Sequence, residues 1–346
     1  MTSHLERELR EQPAALARLL DRQRGYAEQI AEVFRASDVD YVLIASRGSS
    51  SNAARYAQYL LGRAHRVPVA FATPSLFTLY HQPPRLDGAL VIGISQSGES
   101  PDVVEVVAEA CRQGRPTIAI TNEPGSPLGR AADAVLKLEA GGEQAVAATK
   151  TYVNSLGAVA LIFAATTADA RALGELQRMP EQLAAQIECS WRDVGALGDI
   201  GVRDGGTVIA RGINFCTSYE IALKVRELSG LLFEAYSAAD LMHGPVAAIA
   251  PGWPVVAVAP SGPALGEMRA AIEAVSARGA RVVAITDDAT AAEAAASVLP
   301  LVPGVPEWLS PLVAVVPGQL LALQLARARG VDLDRPLGLS KVTLTR

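Results

Sequence analysis

Three stretches of this chain recur once, each at nearly the same distance. Tyr41–Ala45 runs into Arg47-Gly48, as Thr207–Ala210 runs into Arg211-Gly212. Val91-Ile92-Gly93-Ile94-Ser95-Gln96-Ser97-Gly98 is echoed by Val255-Val256-Ala257-Val258-Ala259-Pro260-Ser261-Gly262, and Ile118-Ala119-Ile120-Thr121-Asn122 by Val283-Ala284-Ile285-Thr286-Asp287. The offsets are 164, 164 and 165 residues. Coincident matches at one spacing indicate an internal duplication, so any fold must accommodate one supersecondary unit twice.

The unit is itself an alternation. Tyr41–Ala45, Val67–Ala72, Ala89–Ile94, Thr117–Ile120 and Ala134–Leu138 read as short buried strands with helical stretches between them. Such alternation predicts an α/β fold, a parallel sheet with helices on both faces. Glu6-Arg7-Glu8 and Gln12-Pro13 are expected to start helices ahead of it. The resulting division is N-terminal helices over 1–36, a first domain over 37–168, a helical linker over 169–203, a second domain over 204–329 and a polar tail over 330–346.

Ligands of parallel sheets gather beyond the carboxyl ends of the strands. Two polar turns fall there, Arg47–Asn52 and Ser95-Gln96-Ser97-Gly98-Glu99-Ser100. The second lies between a buried strand and a helix opening with Pro101-Asp102. A strand-to-helix turn aims free backbone N–H groups and the positive end of a helix dipole at one spot, which suits an anion. The turn contains no Lys or Arg, so hydroxyls and amides would hold a phosphate without a fixed ion pair. A Ser-capped helix start is the alternative reading. In the second copy Pro260 replaces a donor N–H, which places the ligand site in the first copy.

Charge and cysteine content exclude several classes. The net charge of −5 argues against nucleic acid or an anionic membrane as partner. Cys111, Cys189 and Cys216 are widely spaced, which fits a reducing cytoplasm and neither a disulfide scaffold nor a cysteine metal site. The chain begins without the apolar core of a signal peptide, and its longest apolar run, Leu156–Ala165, is too short for a bilayer. A cytoplasmic protein is expected. Of 31 basic residues only four are Lys: Lys137, Lys150, Lys224 and Lys341. Lys can lose its proton or form an imine and Arg cannot, so each retained Lys is a candidate for amine chemistry, although Lys137 reads as plain surface.

With these motifs in order, the chain resembles the sugar isomerase (SIS) double domain. The resemblance is closest to the isomerase half of glutamine–fructose-6-phosphate aminotransferase and to the related glucosamine-6-phosphate deaminases that lack a glutaminase. It runs from about Tyr41 to Lys341 and is carried by Gly48–Asn52, Ser95–Ser100, Asn122–Ser126 and Ala140–Lys150. In the second copy its carriers are Ala222–Glu227, Glu234–Tyr236 and Leu241–Pro245, with Asp332–Pro336 and Leu339–Lys341 at the end. It implies two duplicated SIS domains, each a flavodoxin-like three-layer sandwich. Ser49, Ser50, Ser95, Gln96, Ser97, Gly98 and Ser100 would then hold a sugar phosphate, with Val146, Ala148 and Ser340 lining the sugar. Ala148 stands where the aminotransferase has Ser, so one hydroxyl contact is missing. The resemblance makes Glu227 the proton carrier between C1 and C2, and places Lys224 beside it. It makes His243 the ring opener, donated across a homodimer interface, and Lys341 the imine-forming amine. Lys150 is expected to hold structure. No cofactor or metal is implied, and no metal-ligand cluster is visible in the sequence.

Taken singly, these residues also have bland readings. Glu227 follows Lys224 by three residues, as a plain ion pair would; His243 precedes Gly-Pro as a turn residue would; and Lys341 sits in a tail. The aminotransferase draws ammonia from glutamine through an N-terminal cysteine nucleophile, whereas this sequence starts Met1-Thr2 and its first cysteine is Cys111. The expectation is therefore conversion of glucosamine 6-phosphate to fructose 6-phosphate and ammonia. A deaminase or deglycase for galactosamine 6-phosphate or fructosamine 6-phosphate, an isomerase-only relative, and a non-catalytic sugar-phosphate sensor are the alternatives.

Overall fold

The computed structural model describes residues 2–36, 38–196, 205–334 and 341. The N-terminal helices are α1 (His4–Arg22) and α2 (Arg24–Ala36). The first copy then runs β1 (Tyr41–Ser46), α3 (Gly48–His65), β2 (Val69–Phe71), α4 (Ser75–Thr78), β3 (Ala89–Ile94), α5 (Pro101–Arg112), β4 (Thr117–Thr121), α6 (Pro127–Ala131), β5 (Ala134–Lys137) and α7 (Lys150–Thr167). Helices α8 (Ala170–Gln177) and α9 (Met179–Ala196) follow. The second copy runs β6 (Gly205–Ala210), α10 (Phe215–Ser229), β7 (Leu232–Ser237), α11 (Ala238–Met242), β8 (Pro254–Val258), α12 (Leu265–Ala277), β9 (Arg281–Thr286), α13 (Ala289–Glu293), β10 (Ser297–Pro300) and α14 (Ser310–Ala328).

Both sheets are parallel and share one strand order, β2-β1-β3-β4-β5 and its counterpart β7-β6-β8-β9-β10. The expected α/β duplication is therefore present strand for strand. It includes β7 and β10, which the sequence pattern alone left unread. In this order the direction of winding reverses between β1 and β3, the place where open α/β sheets bind ligands.

Contacts divide the chain into two compact units. The first holds Glu11–Gln144, Ala148–Pro180 and Lys341; the second holds the described residues up to Arg10, Ala145–Ala147, and those between 181 and 334. In the first unit one sheet face buries Leu43, Ala45, Val91 and Ala119 against Val103, Val106, Val107 and Ala110 of α5. Helix α7 is apolar around its whole circumference and is buried over Lys150–Ala164, as a central helix must be. In the second unit Ile209, Val255, Ala257 and Val282 pack against Met268, Ile272 and Val275 of α12.

Four local readings need correction. Pro13 does not start a helix; it lies inside α1. Burial of Leu5, Leu9, Leu16 and Leu19 along one stripe outweighs the lost N–H. The polar stretch Arg47–Asn52 is not a turn, because α3 begins at Gly48 and the serines form its first turn. Strand β2 is shorter than the reading Val67–Ala72. Residues Glu307–Ala328 are long and apolar enough to cross a bilayer, but 89% of that window is buried within the protein, as in a core helix.

Helix α1 approaches α7 closely. A methyl group at Gly157 would lie 2.5 Å from Leu16 Cδ1, and Leu16 is fully buried. Leu16→Ala should therefore destabilise the protein by about 2–5 kcal/mol, because a tight contact cannot collapse into the cavity. A urea titration should show a lower midpoint at unchanged slope.

Candidate functional site

In the first unit the Ser95–Ser100 loop leaves β3 beside the start of α3, since β1 and β3 pair up to Ser46 and Ile94. The loop is held by its neighbour. Asn122 N–H donates to the Gln96 carbonyl at 3.1 Å, and Leu128 N–H to the Gly98 carbonyl at 3.1 Å. Thus the Asn122–Ser126 motif is a buttress for the loop. Gly98 has φ +65°, and a Cβ there would fall 1.9 Å from Ser126 Oγ, so only glycine fits.

The hydroxyls accept from the backbone of their own loop. Ser95 Oγ accepts the Gly98 N–H at 3.1 Å and Ser97 Oγ accepts the Glu99 N–H at 3.3 Å. Each hydroxyl keeps its own proton to give, which an anion requires. Ser100 is the N-cap residue of α5, yet its side chain makes no capping bond. A cation is also tied in. Arg47 Nε donates to Asp102 Oδ2 at 2.6 Å, and Asp102 is buried in the first turn of α5 while Arg47 is half-exposed. The loop contains no basic residue, but Arg47, the N-cap residue of α3, comes beside it through the sheet order.

Lys341 lies against Glu143 in the same unit, Nζ to Oε2 at 2.8 Å. Glu143 Oε1 also accepts the N–H groups of Thr149 and Thr151 at 3.0 and 3.1 Å, and its Oε2 accepts the Thr151 hydroxyl at 2.7 Å. Burial by itself would push this carboxyl up; Lys341 and the other donors more than reverse that and hold it below the usual carboxylate range. Asn122 links this region to the Ser95–Ser100 loop, because its side chain bonds the backbone of Ala140 and Gly141 at 3.0 and 2.9 Å while its own N–H reaches Gln96. Lys150 is buried at the start of α7 and pairs with Glu11 at 2.5 Å.

The second unit carries Val146, Lys224, Glu227 and His243. Lys224 is buried on α10 with its Nζ 2.5 Å from Glu227 Oε2 and 3.4 Å from Glu220 Oε1. Glu220 is completely buried, whereas Glu227 is 26% exposed. The plain Lys224–Glu227 ion pair thus exists, and a second carboxylate makes it a triad. His243 is exposed just past α11, its N–H bonded to the carbonyls of Ala239 and Asp240.

The second copy does not offer an anion the same loop. Ser261 N–H donates to Asp287 Oδ1 at 2.7 Å, and a Cβ on Gly262 would lie 2.5 Å from Glu307 Cγ, whereas the Arg211–Glu267 pair repeats Arg47–Asp102. Carboxylates stand where the first copy presents hydroxyls.

A model of the SIS domain matches residues 37–165 and 207–329. The chain belongs to the SIS domain family. The glutamine–fructose-6-phosphate aminotransferase (isomerizing) of Pyrococcus horikoshii is 33% identical over 347 residues, covering 97% of this chain and 56% of its own length. That of Thermococcus kodakarensis is 35% identical over 345 residues, with 97% and 57% covered. The chain therefore spans a little over half the length of these relatives. Among solved structures, the C-terminal domain of the glucosamine-fructose-6-phosphate aminotransferase from Francisella tularensis matches with a TM-score of 0.85 at 26% identity, covering 97% of this chain and 99% of that one. A Silicibacter pomeroyi protein, provisionally assigned as a phosphosugar isomerase, matches with a TM-score of 0.86 at 33% identity over 95% and 99%.

Within the SIS frame, the first unit collects Ser49, Ser50, Ser95, Gln96, Ser97, Gly98 and Ser100 at the carboxyl edge of one sheet, together with Ala148 and Lys341. Ser340 lies outside the described residues. Sequence reasoning missed Glu220, whose signal was available: positions 220, 224 and 227 share one helix face. It also missed the role of Glu143 and the Arg47–Asp102 pair, which join residues distant in the chain and leave no local pattern. Among the described residues no group of three or more His, Cys, Asp or Glu could hold a metal.

Proposed function

We propose that this chain isomerises and deaminates an aminosugar phosphate, converting glucosamine 6-phosphate to fructose 6-phosphate and ammonia. The observation that carries the reading is Glu227, a partly open carboxylate tethered to the buried Lys224, which suits a group that must hold and return a proton. The hydroxyl loop of the first unit supports a phosphate ester as the handle, and the isomerizing relatives support a hexose as its bearer.

In this reading His243, donated by a second copy of the chain, opens the pyranose ring. Glu227 takes the proton from C2 and returns it to C1 while O1 takes up a proton from solvent and the nitrogen gives one back, turning the aldose carbon into a hydroxymethyl group and C2 into an imine. Water adds to that imine and ammonia leaves; alternatively Lys341 displaces ammonia first and water then frees the ketose.

Incubation with glucosamine 6-phosphate should yield fructose 6-phosphate and ammonia in equal amounts. Absence of ammonia would end this reading. Ala148, in place of the aminotransferase serine, favours a second reading in which the sugar differs, and the same assay with galactosamine 6-phosphate and fructosamine 6-phosphate separates the two.

A further inference from the structure

Glu143 is a fully buried carboxylate with four donors, and one of them is the amine of Lys341. Two others are the N–H groups of Thr149, the N-cap of α7, and Thr151 in its first turn, at the positive end of the helix dipole. The carboxylate is therefore fixed in place and fixed in charge by a helix that cannot move without disrupting the core. Lys341, 25% exposed, comes to it from the far end of the chain.

We propose that Glu143 is a positioning residue that fixes Lys341 Nζ and holds it as an ammonium until the C2 imine of the sugar forms. The inference rests on Lys341 being the amine that displaces ammonia. An ammonium has no lone pair, so the displacement must begin with transfer of one proton from Lys341 to water. The freed lone pair then adds to the C2 imine carbon, and the adduct takes up a proton and loses ammonia to leave the lysine imine. Glu143 is a poor acceptor for that proton, since three donors besides Lys341 already stabilise its charge. Its contribution is to aim the amine and to keep it unreactive while the site is empty. The other charges at this end of the helix have partners of their own: Lys150 pairs with Glu11, and Arg18 donates to the Glu139 carbonyl.

Competitive acylation of the folded protein with acetic anhydride, read by mass spectrometry across pH, measures the fraction of each lysine that is neutral. Near neutral pH the folded wild type should acylate Lys341 slowly, because Glu143 holds the ammonium across 2.8 Å. Glu143→Gln should speed that acylation about tenfold. Glu143→Asp should restore most of the difference, which a purely structural role would not require. Equal rates for Lys341 in wild type and Glu143→Gln would overturn the proposal. Should Glu143→Gln fail to fold, a wild-type Lys341 acylated as fast in the folded protein as in urea would overturn it equally. Borohydride trapping with fructose 6-phosphate is the second arm, where hydride reduces the imine to a stable secondary amine on Lys341. An adduct on Lys341 supports the proposal, and its absence from the wild type overturns it, since Lys341 would then not be the reacting amine.

Discussion

Glu227→Gln should lower turnover of glucosamine 6-phosphate by about 10²–10⁴-fold, the range over which a positioned acid–base group acts. Binding of the sugar phosphate should change little. The amide has nearly the same shape as the carboxylate and cannot carry a proton between carbons. The fold should tolerate the change, because Lys224 keeps Glu220 as a counter-ion at 3.4 Å and is not left as an isolated buried charge. Ammonia release gives the rate, calorimetry with fructose 6-phosphate gives the affinity, and exchange of the C2 hydrogen with solvent deuterium isolates the proton transfer. Wild-type turnover in this variant would remove Glu227 from the mechanism.

Gly98→Ala should damage the anion loop more than any single hydroxyl substitution. At φ +65° a non-glycine residue costs about 1–2 kcal/mol in backbone energy. The new methyl would also sit 1.9 Å from Ser126 Oγ, and Ser126 is the N-cap of α6, accepting the Gly129 N–H at 3.3 Å. Displacing that cap costs about 1 kcal/mol more. A fall in stability of about 2–3 kcal/mol is therefore expected. Affinity for inorganic phosphate or fructose 6-phosphate should fall at least tenfold, about 1.4 kcal/mol. Gly262→Ala is the internal control, since the duplicated position would meet Glu307 Cγ at 2.5 Å. It should lower the melting temperature and leave phosphate affinity unchanged. Equal loss of affinity in both variants would mean that the two copies share the binding work.

The duplication, the parallel sheets and the hydroxyl loop were legible in the residues because each is a local pattern. A buried strand is a short apolar run, a helix start is a capping signal, and a repeat is a fixed offset. Chain order alone located the Ser95–Ser100 turn at a strand end. It misplaced Pro13 and the serines of α3, because helix limits depend on what the helix packs against.

What only the tertiary structure decided is which charges meet. Arg47 reaches Asp102 because β1 and β3 are neighbours in the sheet, and Lys341 reaches Glu143 across 198 residues of chain. Copy two faces its own carboxylates because Asp287 and Glu307 fall beside Ser261 and Gly262. Electrostatic pairing acts over a few ångströms of space and is blind to chain separation, so no window of sequence contains it. The amino-acid order therefore determined the two α/β units and the hydroxyl-rich loop, and the folded geometry determined that the second copy of that loop lies against Asp287 and Glu307 while the first lies against Ser126.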